Sequence, residues 1–380
     1  EFRRVLFRSS HQAVDRRRPL RLQGAILSAA LILAAGVVLP KASDAAVGPA
    51  VPQAPAPACI PAIGIAPSYV LGESAADLDR DLAAARELGS SRYRFDVDWS
   101  VVERSRGNYN WGPVDRVVNA VLAAGLTPLG VLAYAPDWAE TPGTGSFHGA
   151  PVDIAAFAAF AGAAAERYNG RITDWEIWNE PNNDAFWAPR ADPATYTALL
   201  QQSYRAIKAV QPGSTVLAGA LSPAENGSGG DMEPLTFLAR MYDAGAGGSF
   251  DAVSVHPYSF PAMPTDPATA GWNTFQKMPG LHDLMAAHGD GGKPLWITEF
   301  GAPTGSSRVA VSPEVQAAYL TDGLSAVAGL GYVHTVLIYS IRDSGTDAAD
   351  SEQNFGLLDF NFTPKPAFGA VQQLVAASRC

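Results

Sequence analysis

Two glutamates stand near the ends of apolar, strand-like runs, each just before a residue that breaks the strand. Glu180 lies near the end of the run Trp175-Glu-Ile-Trp-Asn-Glu-Pro-Asn182. Glu299 lies near the end of the run Pro294-Leu-Trp-Ile-Thr-Glu-Phe-Gly301. A carboxyl among tryptophans is costly to bury unless it is paired or used in chemistry. Two such carboxyls, one protonated and one ionised, are the groups that cleave a glycosidic bond. The alternative interpretation is that each is a salt-bridged strand end.

Metal-dependent chemistry has little support in the sequence. The six histidines are scattered, and none belongs to a His-x-x-x-His pair. Zinc sites built on a helix commonly need such a pair, because it puts two imidazoles on one face. We therefore expect no metal ion and no other cofactor.

Short apolar strands alternate with helical stretches from residue 59 onward. This alternation predicts a parallel sheet with helices on its outside. The predicted strands are 63–66, 92–98, 127–134, 173–179, 215–221, 252–258, 295–300 and 334–341. The predicted helices are 75–88, 113–124, 154–168, 193–210, 234–244, 273–288, 313–328 and 366–378.

Eight strand–helix units predict a single α/β domain, a (β/α)8 TIM barrel, over residues 59–380. In such barrels the side chains that do chemistry lie at the C-terminal ends of the strands. Glu180 and Glu299 end the fourth and seventh predicted strands, which brings them to one face. The alternative is an open doubly wound sheet, but no Gly-x-Gly-x-x-Gly turn follows the first strand and no phosphate loop is present.

Residues 1–45 have the layout of an export signal. We interpret the first part of this segment, residues 1 to about 10, as a fragment end. Arg16, Arg17, Arg18 and Arg21 precede an apolar run at 25–39, and small residues that suit cleavage after Ala45 follow. A retained membrane anchor is the alternative, but the run is short for a span of about 20 residues. Residues 46–58, rich in Pro and Ala, predict an extended linker.

Charge limits the classes of partner. The whole chain has a formal net charge of −10, and residues 1–45 carry eight Lys or Arg against three Asp or Glu, so the remainder carries −15. An acidic protein repels phosphate backbones, so we do not expect nucleic-acid binding. The expected protein is secreted, cell-surface or periplasmic, with no stable membrane insertion after cleavage and an oligomeric state that the sequence leaves open.

The two cysteines, Cys59 and Cys380, lie just before the first predicted strand and at the end of the last predicted helix. In a barrel both points lie at the N-terminal face, where a disulfide would join the chain ends. Export makes such a bond chemically permissible. The alternative is two unpaired thiols.

The sequence resembles the clan A glycoside hydrolases, and within them family 39 and the related family 5 cellulase-like proteins. The resemblance rests on Asn179-Glu-Pro181 followed by the Thr298-Glu-Phe-Gly301 strand, and it extends over nearly all of residues 60–370. Weaker segments in the expected order support it: 93–99, 134–138, 255–258 and 355–359. The resemblance implies a carbohydrate substrate, with Glu180 as general acid/base and Glu299 as nucleophile of a retaining β-glycosidase.

The resemblance also implies roles for neighbouring residues. Arg94 is expected beneath Glu299, where a cation keeps a carboxylate ionised. Asn179 is expected to bind the sugar 2-hydroxyl, Tyr258 to donate a hydrogen bond to Glu299, and His256 to line the site beside Glu180. A structural ion pair remains the alternative for Arg94, and a satisfied core residue the alternative for His256.

Aromatic side chains near strand ends are candidates for stacking against sugar faces. Trp138 and Trp187 follow the third and fourth strands, so we favour them, although a core position is an equal alternative for any tryptophan. The family often has a tryptophan at the end of the eighth strand, where this chain offers Tyr339 or nothing. That departure leaves the sugar open.

Two other functions remain compatible with the sequence. One is a carbohydrate-binding barrel that has lost catalysis, and the other is a transglycosylase that remodels surface polysaccharide. The transglycosylase would share every catalytic residue named above. The sugar, the linkage and endo or exo action are not determined by these motifs.

We predict that the exported protein begins after Ala45 and holds Cys59 and Cys380 in one disulfide. Peptide mass spectrometry without reduction, on protein recovered from the exported fraction, should find the two cysteine peptides joined. An uncleaved N-terminus, or two separately alkylated cysteine peptides, would contradict the respective half of this prediction.

Overall fold

The computed structural model describes residues 60–142, 148–227 and 229–378. The predicted export signal, the linker, Cys59 and Cys380 lie outside these residues and stay predictions. Among the helices described, none is both long and apolar enough to cross a membrane.

Eight parallel strands close into a barrel in which each strand pairs with its neighbours in sequence, and β8 pairs with β1. The predicted TIM barrel is confirmed. The strands are β1 Ala62–Ile65, β2 Arg92–Asp98, β3 Thr127–Ala133, β4 Asp174–Ile177, β5 Thr215–Leu221, β6 Ala252–Val255, β7 Leu295–Phe300 and β8 Val333–Ile338.

Helices cover the outside of the barrel, and several start at a side-chain cap. Ser74, Asp153, Asp192 and Ser312 each accept a backbone N–H from the first turn of the helix that follows. The helices are α1 Ala75–Glu87, α2 Trp99–Val102, α3 Gly112–Ala123, α4 Ile154–Arg167, α5 Pro193–Val210, α6 Pro234–Asp243, α7 Thr274–Ala287, α8 Pro313–Val327 and α9 Pro366–Ala377. The single turn α2, capped by Asp98, was not predicted.

Three strands end two or three residues earlier than the sequence pattern predicts. The apolar runs continue to residues 179, 258 and 341, whereas β4, β6 and β8 end at Ile177, Val255 and Ile338. In β4 the cause is visible in the backbone, because Trp178 has φ 68° and leaves strand geometry. The residues beyond these ends are therefore loop residues that face the mouth of the barrel.

Tyr196 on α5 fixes the end of β4 to its neighbour β5. Its hydroxyl donates to the carbonyl of Ile177 at 2.8 Å and accepts the N–H of Gly219 at 2.7 Å. The ring is fully buried. One side chain thus satisfies two backbone groups that the strand ladder leaves unpaired, three residues before Glu180.

Tyr196→Phe should lower the free energy of unfolding by about 1–3 kcal/mol, because it leaves a buried carbonyl and a buried N–H without their partner. Urea unfolding measures the change. Tyr204→Phe on the same helix is the matched control. Its half-buried hydroxyl bonds Asp251 at 3.2 Å, and its loss should cost about 0.5 kcal/mol or less. Equal losses in the two variants would contradict the assignment.

Candidate active site

The backbone at the end of β4 is strained where it presents Glu180. Trp178 and Glu180 both lie in the left-handed region, with φ 68° and 50°. Non-glycine residues there cost free energy and persist only where surrounding contacts hold them. The indole of Trp178 donates to the carbonyl of Phe186 at 2.7 Å, which anchors the turn. The strain turns the Glu180 carboxyl inward, where it is buried.

A single guanidinium connects three acceptors at the bottom of the site. Arg94 on β2 donates to Glu176 Oε2 at 2.6 Å, to Glu299 Oε1 at 2.6 Å and to Asn179 Oδ1 at 2.8 Å. We call this group the Arg94 fork. The rigid, planar donors of arginine suit such a divergent set of contacts. The expected position of Arg94 beside Glu299 is observed, and Glu176 is a partner that the sequence did not reveal.

Each of the two candidate catalytic carboxyls has a partner from the loop after β6. Tyr258 donates from its hydroxyl to Glu299 Oε2 at 2.7 Å. His256 Nδ1 lies 2.7 Å from Glu180 Oε1 and 3.5 Å from Glu299 Oε2. Oxygens of Glu180 and Glu299 lie within 4.8 Å of each other. The structure therefore brings the predicted carboxyls, the arginine, the asparagine, the histidine and the tyrosine into one site.

The hydrogen bonds of His256 determine which atoms carry protons. Thr298 donates its one hydroxyl proton to Glu176 Oε1 at 2.8 Å, so it can only accept from His256 Nε2 at 3.2 Å. Burial, and then the charge of Arg94, lowers the pKa of His256 well below its usual value, so the ring is neutral. A neutral ring with its proton on Nε2 has a bare Nδ1. The contact with Glu180 then needs a proton from the Glu180 carboxyl.

The surroundings of the two carboxyls also favour a proton on Glu180 rather than on Glu299. Burial and the charge of Glu299 raise the pKa of Glu180 well above the usual glutamate value. Burial also raises the pKa of Glu299, but Arg94 and the Tyr258 hydroxyl oppose this rise. Glu180 is therefore the carboxyl that holds a proton, and Glu299 the one that ionises first. Arg94 lowers the pKa of Glu299, as its expected role requires, but the effect of burial on this pKa is larger.

Comparisons with known proteins find similarity to glycosidases. No family model matches the chain. The sequence is 27% identical to beta-glucosidase 40 of Arabidopsis thaliana over 113 residues, 28% of this chain and 22% of that protein. The structure is similar to that of a family 39 glycoside hydrolase from Bacteroides cellulosilyticus WH2, with TM-score 0.68 and 26% identity, over 86% of this chain and 65% of that one.

Two further solved structures share the fold. One is a monomeric beta-xylosidase from Caulobacter crescentus CB15, with TM-score 0.65 and 23% identity, covering 84% of this chain and 69% of that one. The other is a family 5 enzyme from Streptomyces cattleya, with TM-score 0.65 and 20% identity, covering 83% and 80%. The predicted resemblance to the family 39 and family 5 glycoside hydrolases of clan A is confirmed. The chain spans less than two thirds of the Bacteroides enzyme and about a fifth of the plant protein.

The two tryptophans predicted to stack against a sugar differ in their exposure. Trp187 is only 1% exposed and packs edge-on against Trp178 and Tyr196, so it cannot offer a face to a sugar, and that prediction is wrong. The loop between β4 and α5 folds it into the core. Trp138 is partly exposed, and its indole donates to the Glu103 carbonyl at 2.9 Å. It remains a candidate platform.

Tyr339, which stands where the family often has tryptophan, lies one residue beyond β8. It is 9% exposed, and its hydroxyl donates to Glu352 Oε2 at 3.3 Å. Glu352 belongs to a short 3-10 turn, Ser351–Gln353, in the long loop after β8. Sequence reasoning missed this carboxyl because the loop carries several acidic residues and no periodicity that would single one out.

Among the described residues, Glu180, His256 and Glu299 form one cluster whose ligand atoms are close enough to hold a metal ion. Its electrostatics disfavour that use. The guanidinium of Arg94 already occupies Glu299 at 2.6 Å, so a second cation would meet a positive neighbour. His256 Nδ1 and Glu180 are satisfied by each other.

Thr298→Val should lower the pKa of Glu180. Without the threonine oxygen, the Nε2 proton loses its acceptor, and the tautomer with a proton on Nδ1 becomes favourable because it donates to an ionised Glu180. Carbon-13 NMR titration of labelled glutamate carboxyls measures this pKa, with Glu180→Gln assigning the resonance. Thr335→Val, the same change on β8, is the control. A pKa of Glu180 that stays or rises in Thr298→Val would contradict the proton assignment.

Proposed function

We propose that this protein is a retaining β-glycosidase that hydrolyses β-linked oligosaccharides or polysaccharides by double displacement. The observation that carries the proposal is the pair of buried carboxyls, with oxygens within 4.8 Å of each other and unequal environments. Inverting enzymes hold their carboxyls about 6.5–9.5 Å apart to admit a water, whereas retaining enzymes hold them about 5–5.5 Å apart. The short separation supports retention.

In this proposal Glu299 attacks the anomeric carbon while Glu180 protonates the departing oxygen. A glycosyl-enzyme forms, and the Glu180 carboxylate then takes a proton from the water that attacks the anomeric carbon and releases Glu299. His256 takes part by accepting a hydrogen bond from the protonated Glu180 carboxyl in the resting state, which keeps the carboxyl oriented toward Glu299. Tyr258 and Arg94 each donate a hydrogen bond to a different oxygen of Glu299.

In this proposal the side-chain amide of Asn179 binds the 2-hydroxyl of the sugar. Its Oδ1 is fixed by Arg94 at 2.8 Å, so its amide N–H2 is directed by that contact. No other hydrogen bond of this side chain is formed with the described residues, which leaves the amide for substrate. A hydrogen bond to the 2-hydroxyl strengthens as charge develops at the anomeric centre.

The relatives support a carbohydrate substrate, since those compared include a beta-xylosidase and a beta-glucosidase. We extend this to a β-linked glycan and to an exported protein, because residues 1–45 have the layout of a signal. A carbohydrate-binding barrel without catalysis and a transglycosylase are the competing functions.

Glu299→Gln should lower kcat/KM on the best substrate of a 4-nitrophenyl β-glycoside panel by roughly a thousandfold or more, and Glu180→Gln by about a hundredfold or more. The first-formed sugar, observed by proton NMR, should be the β-anomer. Glu87→Gln, an exposed change at the end of α1, is the control and should leave the rate unchanged.

An α-anomer as first product would contradict retention, and activity that survives both substitutions would contradict the assigned pair. Binding without hydrolysis across the panel would favour the inactive barrel. Larger glycosides formed when a disaccharide acceptor is added would favour the transglycosylase.

A further inference from the structure

Asp96 is a carboxyl at the mouth of the barrel without a hydrogen-bond partner among the described residues. It lies on β2, two residues beyond Arg94 and therefore on the same inward face. It is partly exposed, whereas Arg94 is buried beneath it. Arg94 donates to Glu176, Asn179 and Glu299. The oxygens of Asp96 are therefore left to accept from solvent or from a molecule that enters the mouth of the barrel.

Glu352 is a second carboxyl of this kind. It is 8% exposed, and Tyr339 satisfies only its Oε2. Its Oε1 makes no hydrogen bond with the described part of the chain and keeps some access to solvent. Tyr339 contacts Phe355, which in turn contacts Tyr258, the partner of Glu299. Glu352 thus lies beside the nucleophile on the β8 side.

The two carboxyls lie on the same arc of the barrel. β2 and β8 both pair with β1, while Glu180 and His256 follow β4 and β6 on the other side. A sugar held between Glu180 and Glu299 would turn the hydroxyls remote from its anomeric carbon toward the arc of β8, β1 and β2.

The protonation states of the two groups are complementary to hydroxyls. Burial raises the pKa of Asp96 to about 6, against the charge of Arg94, so Asp96 is mostly an ionised acceptor at neutral pH. Burial and the charge of Glu299 raise the pKa of Glu352 to about 8, so it is mostly a protonated donor and acceptor. A hydroxyl can donate to the first and exchange hydrogen bonds with the second.

We propose that Asp96 and Glu352 bind the hydroxyls of the sugar at the cleavage site and thereby select an uncharged glycone over a uronate. A sugar carboxylate is an acceptor without a proton, so beside Asp96 it brings two like charges together with no donor between them. The guanidinium that would neutralise it is held by the Arg94 fork. This inference rests on the proposed function, since it takes the space between Glu180 and Glu299 as the sugar site.

The test uses 4-nitrophenyl 1-thio-β-glycosides, whose sulfur linkage resists hydrolysis, so that binding is measured whether or not the protein is an enzyme. Glucosides and glucuronides, and galactosides and galacturonides, form matched pairs that differ only at the sixth carbon. Calorimetry at pH 7 should show the best-bound neutral sugar at least about tenfold tighter than its uronide, the loss expected for an unpaired charged group.

Asp96→Asn removes charge without changing size and should narrow the ratio of neutral-sugar affinity to uronide affinity by about threefold or more. Glu352→Ala removes a mostly protonated donor and acceptor and should weaken binding of the neutral sugar by about tenfold. Asp96→Ala should weaken binding of the neutral sugar by about tenfold, because it removes the acceptor altogether. Asp243→Asn is the control, an exposed carboxyl at the end of α6 on the opposite face of the barrel. It should change neither quantity.

Uronides that bind as well as their neutral partners overturn the inference, as does a panel in which nothing binds. An affinity ratio that Asp96→Asn leaves unchanged also overturns it, as does neutral-sugar binding that Glu352→Ala does not weaken. Failure of the proposed function is distinguishable, because it leaves the ordinary oxygen-linked glycosides uncleaved while the thioglycoside binding pattern persists.

Discussion

The buried guanidinium of Arg94 is the constraint on which the site depends. Burial disfavours its charge, but Glu176 and Glu299 outweigh this and raise its pKa. A buried charge is tolerated only when partners and hydrogen bonds satisfy it. The fork binds residues of β4, its following turn and β7, so three separate segments take their relative positions from one planar group. Removing it would leave Glu176 and Glu299 as unpaired buried charges.

From that fork a chain of hydrogen bonds reaches the opposite carboxyl. Glu176 accepts from Thr298, Thr298 accepts from His256, and His256 accepts from Glu180. Each step has one arrangement of protons that satisfies every partner. The ion pair at one end therefore determines the protonation of Glu180 at the other. Such buried networks are effective only when every member is satisfied.

Loops supply what the barrel strands alone do not. The strained turn at Trp178 and Glu180 points a carboxyl inward, and the long loop after β8 brings Glu352 to the nucleophile's side. Gly301 permits a close approach there, since a Cβ at that position would lie 2.1 Å from the Tyr339 carbonyl oxygen. A rigid barrel with irregular loops at its C-terminal face lets the arrangement that surrounds a sugar vary while the fork is kept.

The sequence by itself determined the barrel and the strands that carry Glu180 and Glu299, because strand–helix alternation and strand-terminal carboxyls are local patterns. It also predicted, through the family resemblance, that Arg94, Asn179, His256 and Tyr258 lie together. Only the tertiary structure revealed Glu176, Thr298, Asp96 and Glu352 as members of the site, and the burial of Trp187. Those features depend on which side chains face each other across the barrel. Contacts between residues separated by 82 to 205 positions, as in the Arg94 fork, leave no trace in any local pattern.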